Sequence, residues 1–173
     1  KFNVKIPWVS GGTSVAVPLL LKNARPMAVN HFRIGEALFF GKDLFTGETI
    51  EGMYNDVFKL YAEIIEITEK PDNPVGELGE NVAGNTYEIT EETDLSATSL
   101  RAILDIGLLD MQPQYLETDN PNITIVDASS DMMVIDISNS EKNYNVGDLI
   151  SFKLQYMGAL YLLNSDYIEK VVE

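Results

Sequence analysis

The spacing of hydrophobic residues changes near residue 47, and this change limits the folds open to the chain. Up to that point strand-like and helix-like runs alternate, and they predict strands over 3–10 and 29–35 and helices over 13–23 and 36–41. Parallel βα units have this alternation. Two such units leave the faces of a parallel sheet incompletely covered, so the segment requires more strands than it contains.

The remainder of the chain has the pattern of several short antiparallel strands. Leu60, Ala62 and Ile64 share one face of the first predicted strand, and the phase slips at Ile65, as it does at a β-bulge. Further strands are predicted over 100–110, 122–138, 145–156 and 167–172, with a helical turn over 158–165. Short strands separated by turn residues are typical of a small β-barrel or sandwich, so we predict a mainly β chain.

The charge balance excludes several classes of partner. The chain has 12 Lys and Arg residues against 27 Asp and Glu residues, which gives a net charge of −15. A field of that sign repels nucleic acids and anionic membranes, so we expect neither as a partner. An anionic ligand can still bind where backbone N–H groups or a single Arg supply local positive potential.

Several kinds of functional site are also excluded. The chain has no cysteine, which rules out disulfide scaffolds and thiolate metal sites and fits a cytoplasmic protein. No apolar run approaches the ~20 residues that a membrane-spanning helix needs. Because the motifs of zinc proteases, P-loops and nucleophile elbows are absent as well, we predict no metal site.

The segment SGGTS, residues 10–14, follows a predicted strand and opens a predicted helix. Glycines at such a turn let backbone N–H groups point at an anion, and the hydroxyls of Thr13 and Ser14 can donate to the same anion. A simple turn without a ligand is the alternative interpretation.

The segment Arg33-Ile34-Gly35 repeats this arrangement one βα unit later. Two successive βα turns of this kind form the phosphate site of (β/α)₈ barrels, so the pair indicates anion binding more strongly than either turn alone. Arg33 would then point towards a phosphorylated cofactor, or else it would pair with a neighbouring carboxylate. His31 is predicted to be structural rather than catalytic.

The segment ASSDMMVIDI, residues 128–137, places a Ser-Ser-Asp sequence before an apolar strand. Asp131 would either orient a substrate or cap a turn. The pattern alone favours the turn.

A family resemblance extends in order over nearly the whole chain. The segments that carry it are WVSGGTSVAVPLLLKN, VNHFRIGEALFFGKDLFTGETIEGMYNDVFKLYAEIIEI, PVGELGENVAGN, RAILDIGLLDM, DASSDMMVIDISNSEKNYNVGDLISFKLQYMGALYLL and SDYIEKV. Together they resemble the C-terminal half of the predicted amino-acid racemase family, the branch of the alanine racemase superfamily that includes ornithine racemase. In that family an N-terminal (β/α)₈ barrel binds pyridoxal 5'-phosphate, a β-rich C-terminal domain follows, and head-to-tail homodimers place that domain over the partner's barrel.

The resemblance assigns cofactor-binding roles to residues of both glycine-containing turns. Thr13 and Ser14 match the pair that follows the seventh barrel strand, where the Ser binds the cofactor phosphate. Arg33 matches the arginine that faces the pyridine nitrogen. Gly35 and Glu36 match the turn whose backbone N–H groups hold the phosphate.

The resemblance also implies residues of the substrate site. Asp131, with the backbone of Ser130, matches the Met-Asp pair that reaches into the partner's substrate site. Glu77 falls where alanine racemases have the tyrosine that serves as the second acid/base. The substrate-gating tyrosine falls near Ser165-Asp166-Tyr167, where an acid would suit an amino-acid substrate with a distal amine.

The resemblance divides the chain at residue 46. Residues 1–46 would be the last one or two βα units of the barrel, and residues 47–173 the C-terminal β-domain of the alanine racemase type. The Schiff-base lysine of the family lies on the first barrel strand, which has no counterpart here, and Lys5 lies on a different strand. We therefore expect the chain to be a fragment of a racemase that is inactive alone and completed by its own N-terminal barrel.

Two other functions remain open at this point. The chain could be a stand-alone β-barrel interaction module with a short βα segment before it. It could also belong to a decarboxylase or aldolase that uses the same cofactor and barrel. Racemase assays on the full-length protein would separate these reactions.

Overall fold

The computed structural model describes residues 4–24, 28–72, 76–77, 79–80, 84 and 96–172. The chain divides into two compact units, Lys1–Phe58 (unit 1) and Lys59–Glu173 (unit 2). The domain boundary predicted after residue 46 stays a prediction.

The helices of unit 1 are short. A 3₁₀ turn, Ser14–Ala16, leads into α1, Val17–Leu21, and α2 covers Glu36–Phe40. Gly41 ends α2 with a φ of 58°, and a Cβ at this position would collide with the carbonyl oxygen of Tyr54, so the helix end requires glycine. No helix in the described part of the chain is long and apolar enough to span a membrane.

Both strands predicted for unit 1 are reduced, among the described residues, to one parallel bridge between Ser10 and His31. The predicted extent was wrong, although the parallel direction is as expected. Parallel strands depend on covered faces and on neighbours along both edges, which one strand pair does not have. The Asn30 side chain adds two further links, since its Oδ1 accepts from the Val9 N–H at 2.7 Å and its Nδ2 donates to the Pro7 carbonyl at 2.9 Å.

The described part of unit 2 forms a six-stranded antiparallel sheet followed by a helix. The elements are β1 (Lys59–Pro71), β2 (Thr98–Leu104), a 3₁₀ turn (Pro113–Tyr115), β3 (Leu116–Thr118), β4 (Thr124–Ala128), β5 (Met133–Asp136), β6 (Leu149–Leu154) and α3 (Tyr156–Asn164). The strand order across the sheet is β3-β6-β1-β2-β5-β4. The chain is mainly β, as predicted.

Strand β1 changes its partner halfway along its length. Residues 59–63 pair with β6, whereas residues 64–71 pair with β2. The register shifts between Ile64 and Glu66, and the alternation of buried and exposed side chains breaks at the same point. This irregularity confirms the predicted β-bulge, which bends the strand and increases its twist.

The two edges of the sheet are joined by a short connection, which forces the sheet to curl. Strands β3 and β4 lie at opposite edges, yet only residues 119–123 separate them in the chain. A flat sheet of this order would hold its edges about 24 Å apart, whereas such a connection reaches only about 20 Å when fully extended. The connection also turns back on itself, since the Ile123 N–H donates to the Asn120 carbonyl at 3.1 Å. The sheet therefore forms a nearly closed barrel.

An ion pair fixes this connection to the first strand. Lys59 Nζ lies 3.0 Å from Asp119 Oδ2, and the Asp119 N–H donates to the Ser151 carbonyl at 3.1 Å. Burial raises the pKa of Asp119, but hydrogen bonds from Lys59 and Ser151 outweigh it and leave that pKa below its usual value.

The interior of the barrel is a single apolar cluster. Its largest fully buried side chains are Phe152, Ile64, Leu104, Met111, Met133 and Ile135. Every strand of the sheet contributes to the cluster, and Leu162 of α3 covers part of it.

For unit 2, one predicted strand was wrong and one strand was missed. The predicted strand over 167–172 is absent, and Val171 and Val172 are exposed, because this segment pairs with no described strand. Strand β3 was not predicted, since it is only three residues long and directly follows the 3₁₀ turn Pro113–Tyr115.

The interior position of Phe152 gives a stability test. Phe152 is fully buried, whereas Tyr61, on the strand beside it, is 55% exposed. Phe152→Ala should lower the free energy of unfolding by about 3–5 kcal/mol, since it leaves a cavity. Tyr61→Ala should cost less than about 1 kcal/mol. Chemical denaturation measures both, and equal losses would contradict this description of the barrel interior.

Candidate functional site

The two glycine-containing turns of unit 1 lie side by side. The Gly11 N–H donates to the His31 carbonyl at 3.0 Å, and the Arg33 N–H donates to the Gly12 carbonyl at 3.3 Å. These bonds follow the parallel bridge between Ser10 and His31. The turn that contains Thr13 and Ser14 is therefore brought beside the turn that contains Arg33, Gly35 and Glu36, as the sequence predicts for neighbouring βα units.

The Ser14 hydroxyl joins the two turns. Its Oγ accepts from the Gly35 N–H at 3.3 Å and from the Ala37 N–H at 3.1 Å, and the residue is only 6% exposed. Two accepted bonds occupy both lone pairs of a hydroxyl oxygen. The hydroxyl proton is then free to be donated, and among the described residues no acceptor for it is recorded.

Arg33 is exposed, and its backbone N–H is bonded to the first of these turns at the Gly12 carbonyl. Within the described ranges no carboxylate lies within ion-pair distance of its guanidinium. Pairing with a neighbouring carboxylate, the simpler alternative, is therefore not seen in the part of the chain that the structure covers.

The His31 ring makes two side-chain contacts. Its ring lies edge-on to the Trp8 ring with centroids 5.3 Å apart, and its Nδ1 lies 3.1 Å from Ser10 Oγ. Both contacts are with residues of the first strand-like segment. The structural role of His31 stays a prediction, with which these contacts agree.

The two turns together offer hydrogen-bond donors and open space. The backbone N–H groups of Ser14 and Glu36 have no recorded acceptor within the described residues. A Cβ added at Gly35 would meet no atom within 4 Å, so the space beside this turn is open. Free N–H groups and a free hydroxyl proton suit an anionic oxygen even on a chain of net charge −15. The residues present therefore fit the phosphate of a cofactor.

The predicted substrate residues lie in unit 2. Asp131 is exposed in the loop between β4 and β5, and its Oδ2 accepts from the Ser130 hydroxyl at 2.9 Å. Glu77 is exposed as well, and residues 73–75 and 78 beside it lie outside the described residues. In the described part of the chain no hydrogen bond or ion pair joins Glu77 to Asp131.

The tail after α3 was predicted to lie near the substrate, and it has one anchor that the sequence did not predict. The Ser165 hydroxyl donates to Asp110 Oδ1 at 2.6 Å, although 55 residues separate the two in the chain. The Tyr167 N–H donates back to Ser165 Oγ at 3.2 Å. Asp166, between these residues, is exposed. The signal for this contact was only a polar residue in the otherwise apolar segment IGLLDM.

The described residues contain no group of three or more His, Asp or Glu side chains that could hold a metal ion. The candidate cofactor site in unit 1 thus consists of backbone donors, one buried hydroxyl and one guanidinium. The exposed carboxylates of unit 2 are candidate substrate groups of that unit.

Known racemases match this chain along its length. An ornithine racemase from Acetoanaerobium sticklandii is 38% identical over 170 residues, which are 98% of this chain and 47% of that protein. A lysine racemase from Thermotoga maritima is 32% identical over 172 residues, with 99% and 47% coverage. This chain is a homologue of amino-acid racemases. It spans about half the length of these two relatives.

The fold of alanine racemase also matches. The crystal structure of alanine racemase from Bartonella henselae with covalently bound pyridoxal phosphate aligns with a TM-score of 0.56 at 20% identity, over 86% of this chain and 38% of that one. At this identity the likeness establishes the fold alone, and it confirms the predicted β-domain of the alanine racemase type. No protein-family model matches the chain.

The bridging role of Ser14 can be tested by removing its hydroxyl. Ser14→Ala leaves the Gly35 and Ala37 N–H groups without their acceptor, which should cost about 1–3 kcal/mol in the stability of unit 1. Amide hydrogen exchange at residues 35 and 37 measures the effect. Thr13→Ala is the matched control, because the Thr13 side chain makes no capping hydrogen bond. Equal protection in the two variants would contradict the bridge.

Proposed function

We propose that this chain is the C-terminal part of a pyridoxal-phosphate-dependent amino-acid racemase, and that it contributes part of the cofactor phosphate site. The observation that carries the proposal is the buried Ser14 hydroxyl between two turns with free N–H donors. Homology to an ornithine racemase and a lysine racemase supports the reaction class. Because the match includes unit 1, it favours a racemase portion over a stand-alone β-barrel module.

Each residue of the two turns has a distinct task in this proposal. Ser14 donates its hydroxyl proton to a phosphate oxygen, and the Glu36 N–H donates to another. Gly35 leaves space for the phosphate, because it has no side chain. Thr13 supplies a second, exposed hydroxyl at the edge of the site.

Arg33 faces the pyridine nitrogen of the cofactor in this proposal. When bound, pyridoxal phosphate supplies an electron sink for the α-carbon of the amino acid. A guanidinium keeps its own proton at any ordinary pH, so Arg33 leaves the nitrogen unprotonated and moderates that sink. The absence of a carboxylate partner for Arg33 among the described residues supports this role.

Racemisation needs proton transfer on both faces of the α-carbon, and this chain offers candidates for one of them. Glu77 is proposed as the second acid/base, in the place of the tyrosine of alanine racemases. Asp131 is proposed to reach the substrate site of the partner subunit in a head-to-tail homodimer. Exposure of both carboxylates on unit 2 is compatible with these tasks.

The net charge and the absence of cysteine support a cytoplasmic location.

The substrate is proposed to be an amino acid with a distal amine, such as ornithine or lysine. The names of the two relatives support this class. Asp166 is exposed beside the anchored Ser165, where its carboxylate can pair with a distal ammonium group.

The role of Arg33 can be tested in the full-length protein. Arg33→Glu places an acid at the pyridine nitrogen, so it should shift the visible absorption of the bound cofactor and increase the transamination side reaction. Racemisation should slow at least ~10-fold, which corresponds to about 1.4 kcal/mol. Arg33→Lys, which keeps the positive charge, is the control. An unchanged spectrum and an unchanged racemisation rate in Arg33→Glu would overturn the assignment.

The substrate class can be tested through Asp166. Asp166→Asn removes a charged partner worth about 1.5–3 kcal/mol, so the ratio of kcat/KM for ornithine to kcat/KM for alanine should fall by roughly 10-fold to 100-fold. Glu169→Gln, which neutralises another exposed acid of the same tail, should leave that ratio unchanged. If both variants keep the ratio of the wild type, the distal amine is recognised elsewhere.

A further inference from the structure

The loop that carries Asp131 lies against the backbone of Gly107. An alanine Cβ at residue 107 would lie 2.5 Å from the Ser130 oxygen, the Asp131 carbonyl carbon and the Met132 nitrogen. All three are backbone atoms, so they cannot yield by a change of rotamer. The loop can occupy this position only because residue 107 has no side chain.

Hydrogen bonds fix the same two segments to each other. The Leu108 N–H donates to the Ser129 carbonyl at 2.8 Å, and the Leu109 N–H donates to the Ser130 carbonyl at 3.0 Å. Met111, whose N–H donates to the Gly107 carbonyl at 3.0 Å, is 1% exposed in the barrel interior. The turn is thus anchored in the core and holds the loop from one side.

The same turn also holds the tail after α3. Asp110 accepts the 2.6 Å hydrogen bond from Ser165, and Lys170 Nζ donates to the Ser165 carbonyl. The Ser165 N–H donates to the carbonyls of Tyr161 and Leu162 at the end of α3. The backbone that leads into Asp166 is therefore fixed where it passes residue 110.

We propose that the turn at residues 107–111 is a positioning element that fixes the loop at 129–132 and the tail at 165–167 relative to each other. It thereby fixes the two backbone segments that carry Asp131 and Asp166. The proposal rests on the proposed racemase function, because it names the element that places two of its substrate-facing groups.

The distribution of exposure distinguishes this role from plain packing. The backbones of both segments are tied to the turn, yet the side chains of Asp131 and Asp166 are exposed. An exposed carboxylate adds little to the stability of the barrel. Holding each of them on a constrained backbone restricts the positions from which it can meet a substrate.

Gly107→Ala in the full-length protein tests the positioning. Exchange of the Leu108 and Leu109 amides should become at least ~10-fold faster, since their bonds to the loop are lost. The racemase kcat/KM should fall at least ~10-fold, while the visible spectrum of the bound cofactor stays unchanged. Gly79→Ala is the control, because a Cβ there meets no atom within 4 Å.

A double-mutant cycle separates positioning from general damage. If Gly107 acts through the loop, Gly107→Ala should have little further effect on kcat/KM in an Asp131→Asn background. The same fold-loss in both backgrounds would overturn the proposal. Ser165→Ala provides a second variant that leaves the turn intact, and it should change the ornithine-to-alanine ratio of kcat/KM only while Asp166 is present.

Amide exchange and racemase activity test the two proposals separately. If the wild-type full-length protein does not racemise amino acids, the proposed function fails, and the exchange measurement still decides whether the turn holds the loop. Unchanged exchange at Leu108 and Leu109 in Gly107→Ala would overturn the positioning role whatever the activity.

Discussion

The change of hydrogen-bonding partner along β1 is the constraint on which unit 2 depends. Residues 59–63 pair with β6 on one side, and residues 64–71 pair with β2 on the other. The bulge between Ile64 and Glu66 lies where the pairing with β2 begins, and it bends the sheet there. A straight strand here would leave the edges of the sheet too far apart for the short connection between β3 and β4. The closed sheet encloses the apolar cluster, in which Met111 anchors the turn at residues 107–111. The loop of Asp131 and the tail of Asp166 are hydrogen-bonded to that turn.

A buried hydroxyl has the corresponding role in unit 1. Ser14 replaces the strand pairing that this short segment lacks, since it bonds two N–H groups of the following βα turn. A buried donor or acceptor without a partner is costly. The Ser14 hydroxyl proton therefore suits a phosphate oxygen. The proposed cofactor site would then use the same hydroxyl group that holds the two turns together.

Patterns that repeat along the chain predicted the fold well, but they did not predict single contacts between distant residues. The phase slip at Ile65 indicated the bulge, because a break in alternation is visible in any strand of that length. The predicted strand over 167–172 was wrong, because β propensity cannot reveal whether a pairing partner exists. The contact of Gly107 with the loop, and that of Asp110 with Ser165, join distant parts of the chain and leave no periodic signal. For the cofactor residues, the family resemblance supplied the roles, and the side-by-side turns supply a geometry that suits them.

A crystal structure of the full-length protein grown with pyridoxal phosphate tests the central claim most directly. The account predicts phosphate oxygens within hydrogen-bond distance of Ser14 Oγ and the Glu36 N–H, with the Arg33 guanidinium beside the pyridine nitrogen. A cofactor bound away from these two turns, or phosphate oxygens beyond hydrogen-bond distance of Ser14 Oγ and the Glu36 N–H, would contradict it.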